Sequence, residues 1–341
     1  MTEPRTSAVE GLEDLFAVLD RVPFVAGVKR DAGRLRRLLY ERRPARLVVV
    51  GHGKSGRSTL LNLLMDRAVL PTGDDDALCD GDWIGVDAYG SRVSWLELSP
   101  GTDAALLGRA IREGGPDAVI ALIEVEASDA RATLRLARDL ARDEGRVPVL
   151  VVLAQTDRVA PRRARELSRD LAEQATELGL PSSRVFSVSA PTRSGVTVFA
   201  DALIEALPRC AQLESARAMP CARASRLRIA REIVRASGSL AVTVALVPLP
   251  LSDVAFLAPL QVAMVSSVAH LAGRAWNRET LSEWAASVGF VGGAGFGMRW
   301  GAQQLVKLIP GAGSFISAGI AGAGTAALGK SAIAWFLERE V

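Results

Sequence analysis

Between residues 46 and 190 the chain alternates short apolar runs with polar stretches of helix length: "RLVVVG", "SRVSWLEL", "DAVIALIEVE", "VPVLVVLAQ" and "RVFSVSA". A run that is apolar throughout, without the two-residue alternation of a half-exposed strand, belongs to a strand covered on both faces. Parallel sheets flanked by helices bury their strands in this way. The pattern predicts an α/β unit over residues 45–208, a mostly parallel sheet with helices on both faces.

What lies on either side is of another kind. Residues 1–44 carry apolar positions at helical spacing, Leu12, Leu15, Phe16 and Leu19, then Leu35, Leu38 and Leu39, and predict an N-terminal helical segment. Residues 209–238 contain "CARASRLRIAREIVRASG", read as a basic linker helix. From Ser239 to Gly273 the sole acid is Asp253 and there is no lysine or arginine, while Leu308 to Gly329 is uncharged throughout. Residues 239–341 therefore read as an all-α apolar domain.

Composition excludes several classes of function. The 341 residues suffice for at least one large core and lead us to expect two folded units, and a formal charge of +3 gives no indication of a nucleic-acid partner. Cys79, Cys210 and Cys221 form no CxxC pair, so neither a disulfide framework nor a zinc site is expected, in keeping with a reducing compartment. The first thirty residues lack a basic segment followed by an apolar core, which leads us to expect a cytoplasmic protein.

The chemistry-bearing motif is "VVVGHGKSGRSTLLNLL" at residues 48–64. A strand-to-helix turn of the form GxxxxGK[ST] cradles phosphates on backbone N–H groups, its lysine reaches the outer phosphates and its hydroxyl holds Mg2+. Gly51, Gly56 and Ser58 fit this pattern, and Arg57 takes the lysine's place. Reading "GKS" at 53–55 as the signature would put Val48 at the first glycine, so that register fails. Arginine keeps the charge but exchanges a compact ammonium for a wide planar fork. His52 reads as a turn residue, and no catalytic residue is assigned.

On these residues the stretch 45–208 resembles the Era-like GTPases of the translation-factor-related class, whose "GxxNxGKSTLLN" is matched by Gly51, Gly56, Ser58, Thr59, Leu60, Leu61 and Asn62. The resemblance implies a P-loop GTPase-like fold, with GTP/GDP and Mg2+ as cofactors. It places the phosphates on Gly51, His52, Gly53, Lys54, Ser55, Gly56, Arg57, Ser58 and Thr59. The family's DxPG corresponds to "LSPG", which keeps Gly101 and has Leu98 for the aspartate. Because neighbouring strand residues point to opposite faces, Glu97 is not expected to stand in for it. The NKxD motif corresponds to "AQTD", with Asp157 kept to read guanine and Ala154 and Gln155 departing from the pattern. Ser189 and Ala190 match the SA motif that backs the base, and Ser58 and Thr72 are the implied Mg2+ ligands. Lys54 stands where some members hold potassium through an asparagine: its ammonium either supplies that charge permanently or belongs to a surface turn. Acidic residues Asp74, Asp75, Asp76, Asp80 and Asp82 read as a solvated loop.

The C-terminal "PLPLSD" turn and the "IPGAG…AGAGTAALGK" stretch resemble the YcjF-type domain of unknown function over residues 225–341, which implies membrane association. Segments 254–273 and 308–329 reach the length of a bilayer crossing, although Pro259 and Pro310 interrupt them. Gly293, Gly297 and Gly301 permit close helix approach. The basic run Arg223, Arg226, Arg228, Arg231 and Arg235 suits anionic headgroups or forms one solvated face. Both a membrane-associated domain and a soluble helical bundle stand at this point. The expected function is a guanine-nucleotide-binding protein with weak or absent GTP hydrolysis, coupled to a membrane-associating domain at the cytoplasmic face and to a protein partner. The alternative is a nucleotide-free pseudo-GTPase scaffold.

Overall fold

The computed structural model describes residues 26–39, 41–72, 82–102, 115–127, 129–143, 147–180, 185–246, 252–274, 280, 283–284 and 313–338. The chain divides into two compact units. One is Arg42–Ser225, and the other joins the N-terminal segment through Glu41 to Arg226–Val341.

The first unit is built on six strands: β1 (Ala45–Val50), β2 (Ile84–Ala88), β3 (Ser91–Leu98), β4 (Ala118–Glu124), β5 (Val149–Ala154) and β6 (Val185–Ser187). They lie in the order β2-β3-β1-β4-β5-β6. Every pairing is parallel except β2 with β3, a hairpin closed by Tyr89 and Gly90. Both residues have positive φ, 52° and 75°, as the two-residue turn that matches strand twist requires.

Helices cover both faces, as the unbroken apolar runs predict. Val48, Val50, Leu96, Leu98, Val119, Ala121, Val151 and Leu153 share one core with Leu134, Ala137 and Leu140 of α3 (Ala130–Asp143) and Leu171 and Ala175 of α4 (Pro161–Glu177). Strand alternation sends Leu47, Val49, Val93 and Trp95 to the other face. There α2 (Arg57–Leu64) packs on α5 (Val196–Ala206), and α6 (Arg209–Ala218) packs on β3. The sequence reading closed this unit at residue 208, whereas α6 adds its buried Ala211, Leu213 and Ala216 and the compact unit runs on to Ser225.

Strand β3 buries Val93, Trp95, Leu96 and Leu98. Each such side chain contributes about 1.5–3 kcal/mol. Their sum exceeds the several kcal/mol that a buried ion costs, so β3 can also hold one carboxylate, Glu97, at 4 % exposure.

The second unit holds α1 (Ala26–Leu39), most of α7 (Arg223–Leu246), α8 (Ser252–Leu271) and α9 (Gly313–Ile333), the last continued by a π-helical turn over Ala334–Glu338. Leu35 and Leu38 of α1 are buried as their spacing predicts, while Leu12, Leu15, Phe16 and Leu19 lie outside the described residues. α8 packs on α9, where Gln261 Nε2 donates to Thr325 Oγ1 at 3.0 Å. α7 meets α9 at its glycines: a Cβ on Gly322 would run into Val242, and one on Gly329 would lie 2.5 Å from Val234 Cγ1. The expected close approach through Gly293, Gly297 and Gly301 lies outside the described residues, as do Pro310 and residues 308–312.

Candidate functional site

The chain leaves β1 at the carboxyl end of the sheet, and β1 sits where the strand order turns, with β3 on one side and β4 on the other. Open α/β sheets carry their ligand crevices at such reversals. Gly51 N–H still donates to Leu98 O at 3.0 Å, so the ladder runs to the first residue of the loop. No larger residue fits there: a Cβ on Gly51 would stand 2.6 Å from Ser55 Oγ and 2.8 Å from Leu122 O. The loop then coils through Lys54 (φ 67°) and Gly56 (φ 94°), with Ser55 N–H donating to His52 O at 3.2 Å. Gly56 O accepts the first bond of α2 from Leu60 N–H at 2.8 Å. The N–H groups of the first helical turn, from Arg57 through Ser58 and Thr59, have no partners within the helix and carry its partial positive charge. Ser55 Oγ, in a residue 1 % exposed, has no hydrogen-bond partner among the described residues.

Arg57 is turned into the fold. At 7 % exposure its Nη1 donates to Ser99 Oγ at 2.9 Å, and its Nε pairs with Glu97 Oε2 at 3.4 Å. The other carboxylate oxygen, Oε1, accepts from Ser58 Oγ at 2.9 Å and from Trp95 Nε1 at 3.0 Å. Glu97 therefore lies at the loop itself. Alternation along β3 holds, but the face that meets the loop carries Trp95, Glu97 and Ser99, while Leu98 points into the core on the opposite side. The sequence held a partial signal for this: an acid in the apolar end of a strand, "WLEL", has to find a partner, although the sequence does not say which.

At the end of β5, Gln155 adopts a left-handed conformation (φ 59°), and its Nε2 donates to Lys54 O at 3.0 Å, tying the "AQTD" turn to the phosphate loop. Sequence reading noted Gln155 only as a departure from the motif. Asp157 follows in a short 3-10 turn and is exposed. Its Oδ1 accepts from Ser189 Oγ at 2.7 Å, and Ser189 is buried with its N–H on Ser194 O at 3.1 Å. Ala190 is half-buried beside it. The fold thus brings Gly51–Thr59 and Gln155 together, and holds the Asp157 carboxylate on Ser189. Gly101 has φ 105° in the turn after β3, where Thr102 Oγ1 donates to Ser99 O at 2.7 Å. Thr72 is exposed, and of the acidic loop only Asp82 is among the described residues.

The described residues around Ser58 do not fit Mg2+. The Glu97 carboxylate beside Ser58 is already neutralised by Arg57, and among the described residues no group of three His, Cys, Asp or Glu stands together. Mg2+ sheds water reluctantly and relies on one or two carboxylates besides the phosphates.

The basic run of α7 does not form one face. Arg223, Arg231 and Arg235 are exposed, but Arg226 is buried and its Nε donates to Leu271 O at 2.8 Å, capping the carboxyl end of α8. Arg228 stands 4.0 Å from Glu232. Among the described residues one helix is long and apolar enough to cross a membrane, Gly319–Glu338, with 33 % of its apolar window buried. The apolar part of α8, Leu257–Leu271, is shorter.

Residues 209–340 match the model of a family described as a domain of unknown function, DUF697. No curated protein matches the chain. Among solved structures it is similar to the bacterial selenocysteine-specific elongation factor EF-Sec (16 % identity, 48 % of this chain and 28 % of that one, TM-score 0.37). It is also similar to the elongation factor SelB from Methanococcus maripaludis in complex with the GTP analogue GPPNHP (15 %, 48 % and 34 %, TM-score 0.35). A third is a variant of Aquifex aeolicus Era bound to GDP and AlF4- (15 %, 61 % and 69 %, TM-score 0.38). The chain spans less than two thirds of the length of the first structures it matches.

Proposed function

We propose that the chain is a guanine-nucleotide-binding protein of the GTPase fold, with weak or absent GTP hydrolysis, in which residues 45–208 carry the nucleotide site and residues 239–341 associate with the cytoplasmic face of a membrane and with a protein partner. One observation carries the reading. Asp157 is exposed with its carboxylate held by the buried Ser189 hydroxyl, and the adjoining Gln155 is bonded to the loop that begins at Gly51. A carboxylate fixed in this way presents two acceptor oxygens side by side, the arrangement that pairs with the N–H groups on one edge of guanine. In this reading Gly51–Thr59 and Gly101 take the phosphates, and Ser189 and Ala190 back the base. Hydrolysis is weak because the cation at position 57 is committed to Glu97 and Ser99 rather than to the outer phosphates, where transfer needs it.

The test is calorimetric titration of the full chain with GDP, GTP and ATP, beside Asp157→Asn. Guanine-selective binding that the variant loses by at least ten-fold is expected. Equal affinity for ATP would refute guanine recognition. The absence of heat with any nucleotide would favour the second reading, a nucleotide-free scaffold, which the buried Arg57–Glu97 pair also supports.

A further inference from the structure

The cluster of Arg57, Glu97, Ser58, Trp95 and Ser99 is more than a spoiled metal site. Each oxygen of the Glu97 carboxylate has a donor at hydrogen-bond or ion-pair distance: Ser58 and Trp95 at 2.9 and 3.0 Å on Oε1, Arg57 at 3.4 Å on Oε2. Ser99 fixes the guanidinium from its other side at 2.9 Å. The side chains of Arg57 and Glu97 are 8 % and 6 % exposed, so bulk water screens their charges little. The planar fork explains why arginine rather than lysine stands here: it pairs with a carboxylate and a hydroxyl at once, in one fixed geometry, and cannot lose its proton.

We propose that the Arg57 guanidinium takes the place of the divalent cation at this site, a built-in counter-ion that makes nucleotide binding independent of metal. The proposal rests on the nucleotide-binding reading above. A carboxylate and a hydroxyl 2.9 Å apart at the first turn of a helix would otherwise leave a net negative charge for a divalent ion to neutralise. With Arg57 in place the cluster is neutral, and the positive charge set against the phosphates comes from the backbone N–H groups at the N-terminus of α2. A ligand binding there needs no ion brought from solution.

The full chain is titrated with GDP in Mg2+ and in EDTA, and Mn2+ binding is followed by electron paramagnetic resonance in wild type, Arg57→Gln and Arg57→Gln/Glu97→Gln. GDP affinities in Mg2+ and EDTA that agree within about two-fold are expected. A gain of roughly ten-fold or more in Mg2+, of the size that losing a group around a metal commonly produces, would overturn the proposal. The wild type is expected to leave Mn2+ free, Arg57→Gln to bind one ion, and the double variant to lose it again. Stoichiometric Mn2+ on the wild type would overturn the proposal. If no nucleotide binds under any condition, the nucleotide-binding reading fails. The Mn2+ series still decides the counter-ion: a site gained in Arg57→Gln sustains it, and no site in any variant rejects it. Circular dichroism of each variant confirms that it is folded before either titration is read.

Discussion

Gly51 shows how one residue type can be set by space alone. Its φ raises no demand for glycine, but a Cβ would press on Leu122 O, a backbone atom that cannot swing aside, as well as on Ser55 Oγ. Gly51→Ala is expected to destabilise the chain by about 1–3 kcal/mol, the usual cost of overpacking, read as a lower midpoint in urea. An unchanged midpoint would mean that the loop shifts freely. The glycine itself was legible from its motif, whereas the partners of Arg57 were not. Sequence fixed the identity of the cation at the end of the loop, but whether it faces outward to phosphate or inward to β3 depends on which face of β3 meets α2. Glu97 and Ser99 lie about forty residues from Arg57 in the chain and only folding brings them to it. Lys54 presents its carbonyl to Gln155 and is exposed, a placement compatible with either of the roles its position suggested.

At the scale of elements, the strands were the most legible part. Sequence pattern and burial coincide in β1, β4 and β5 because a strand covered on both faces must be apolar at every position, and nothing else in a short sequence looks like that. Helix α6 was harder to place: half of "RCAQLESARA" is polar, yet Gln212, Ser215 and Arg217 are buried, with Gln212 Nε2 donating to Leu207 O at 2.9 Å and Ser215 Oγ to Ala211 O at 2.8 Å. Polar side chains whose bonds are satisfied locally read as a surface linker until the fold is seen. In α9 two opposing effects can be compared. Replacing a helical glycine by alanine gains about 1 kcal/mol from propensity. At Gly329 the added Cβ would meet both γ carbons of Val234, a β-branched side chain with little rotamer freedom in a helix. Overpacking costs about 1–3 kcal/mol and should win. Gly329→Ala is therefore expected to lower the melting temperature, whereas Gly319→Ala, where a Cβ meets nothing within 4 Å, should hold it or raise it. A rise in both would show that α7 and α9 have room to part.

At the scale of the whole molecule, one helix among the described residues, Gly319–Glu338, has the length and composition of a membrane crossing, with 33 % of its apolar window buried. We expect the full chain in the membrane fraction, resisting carbonate extraction; complete release into the supernatant would reject insertion and leave a soluble bundle. The matched family begins at residue 209, within the first compact unit, so α6 and the start of α7 belong by sequence to the C-terminal domain and by packing to the sheet. A cut at residue 208 would strip Ala211, Leu213 and Ala216 from the face of β3 and is a poor place to divide the protein.

By itself the sequence determined the strands other than β2, the parallel order implied by helix-length connections, the phosphate-type loop and the apolar character of the C-terminal region. Each follows from local periodicity or from a motif contained within about ten residues. Tertiary structure alone decided the rest: that Glu97 rather than Leu98 faces the loop, that Arg57 closes on it, that Gln155 ties two loops together and that Arg226 caps α8 instead of lining a basic face. The physical reason is the same in each case. A buried polar group must find a partner, the partner is set by which surfaces pack together, and residues distant in the chain supply it.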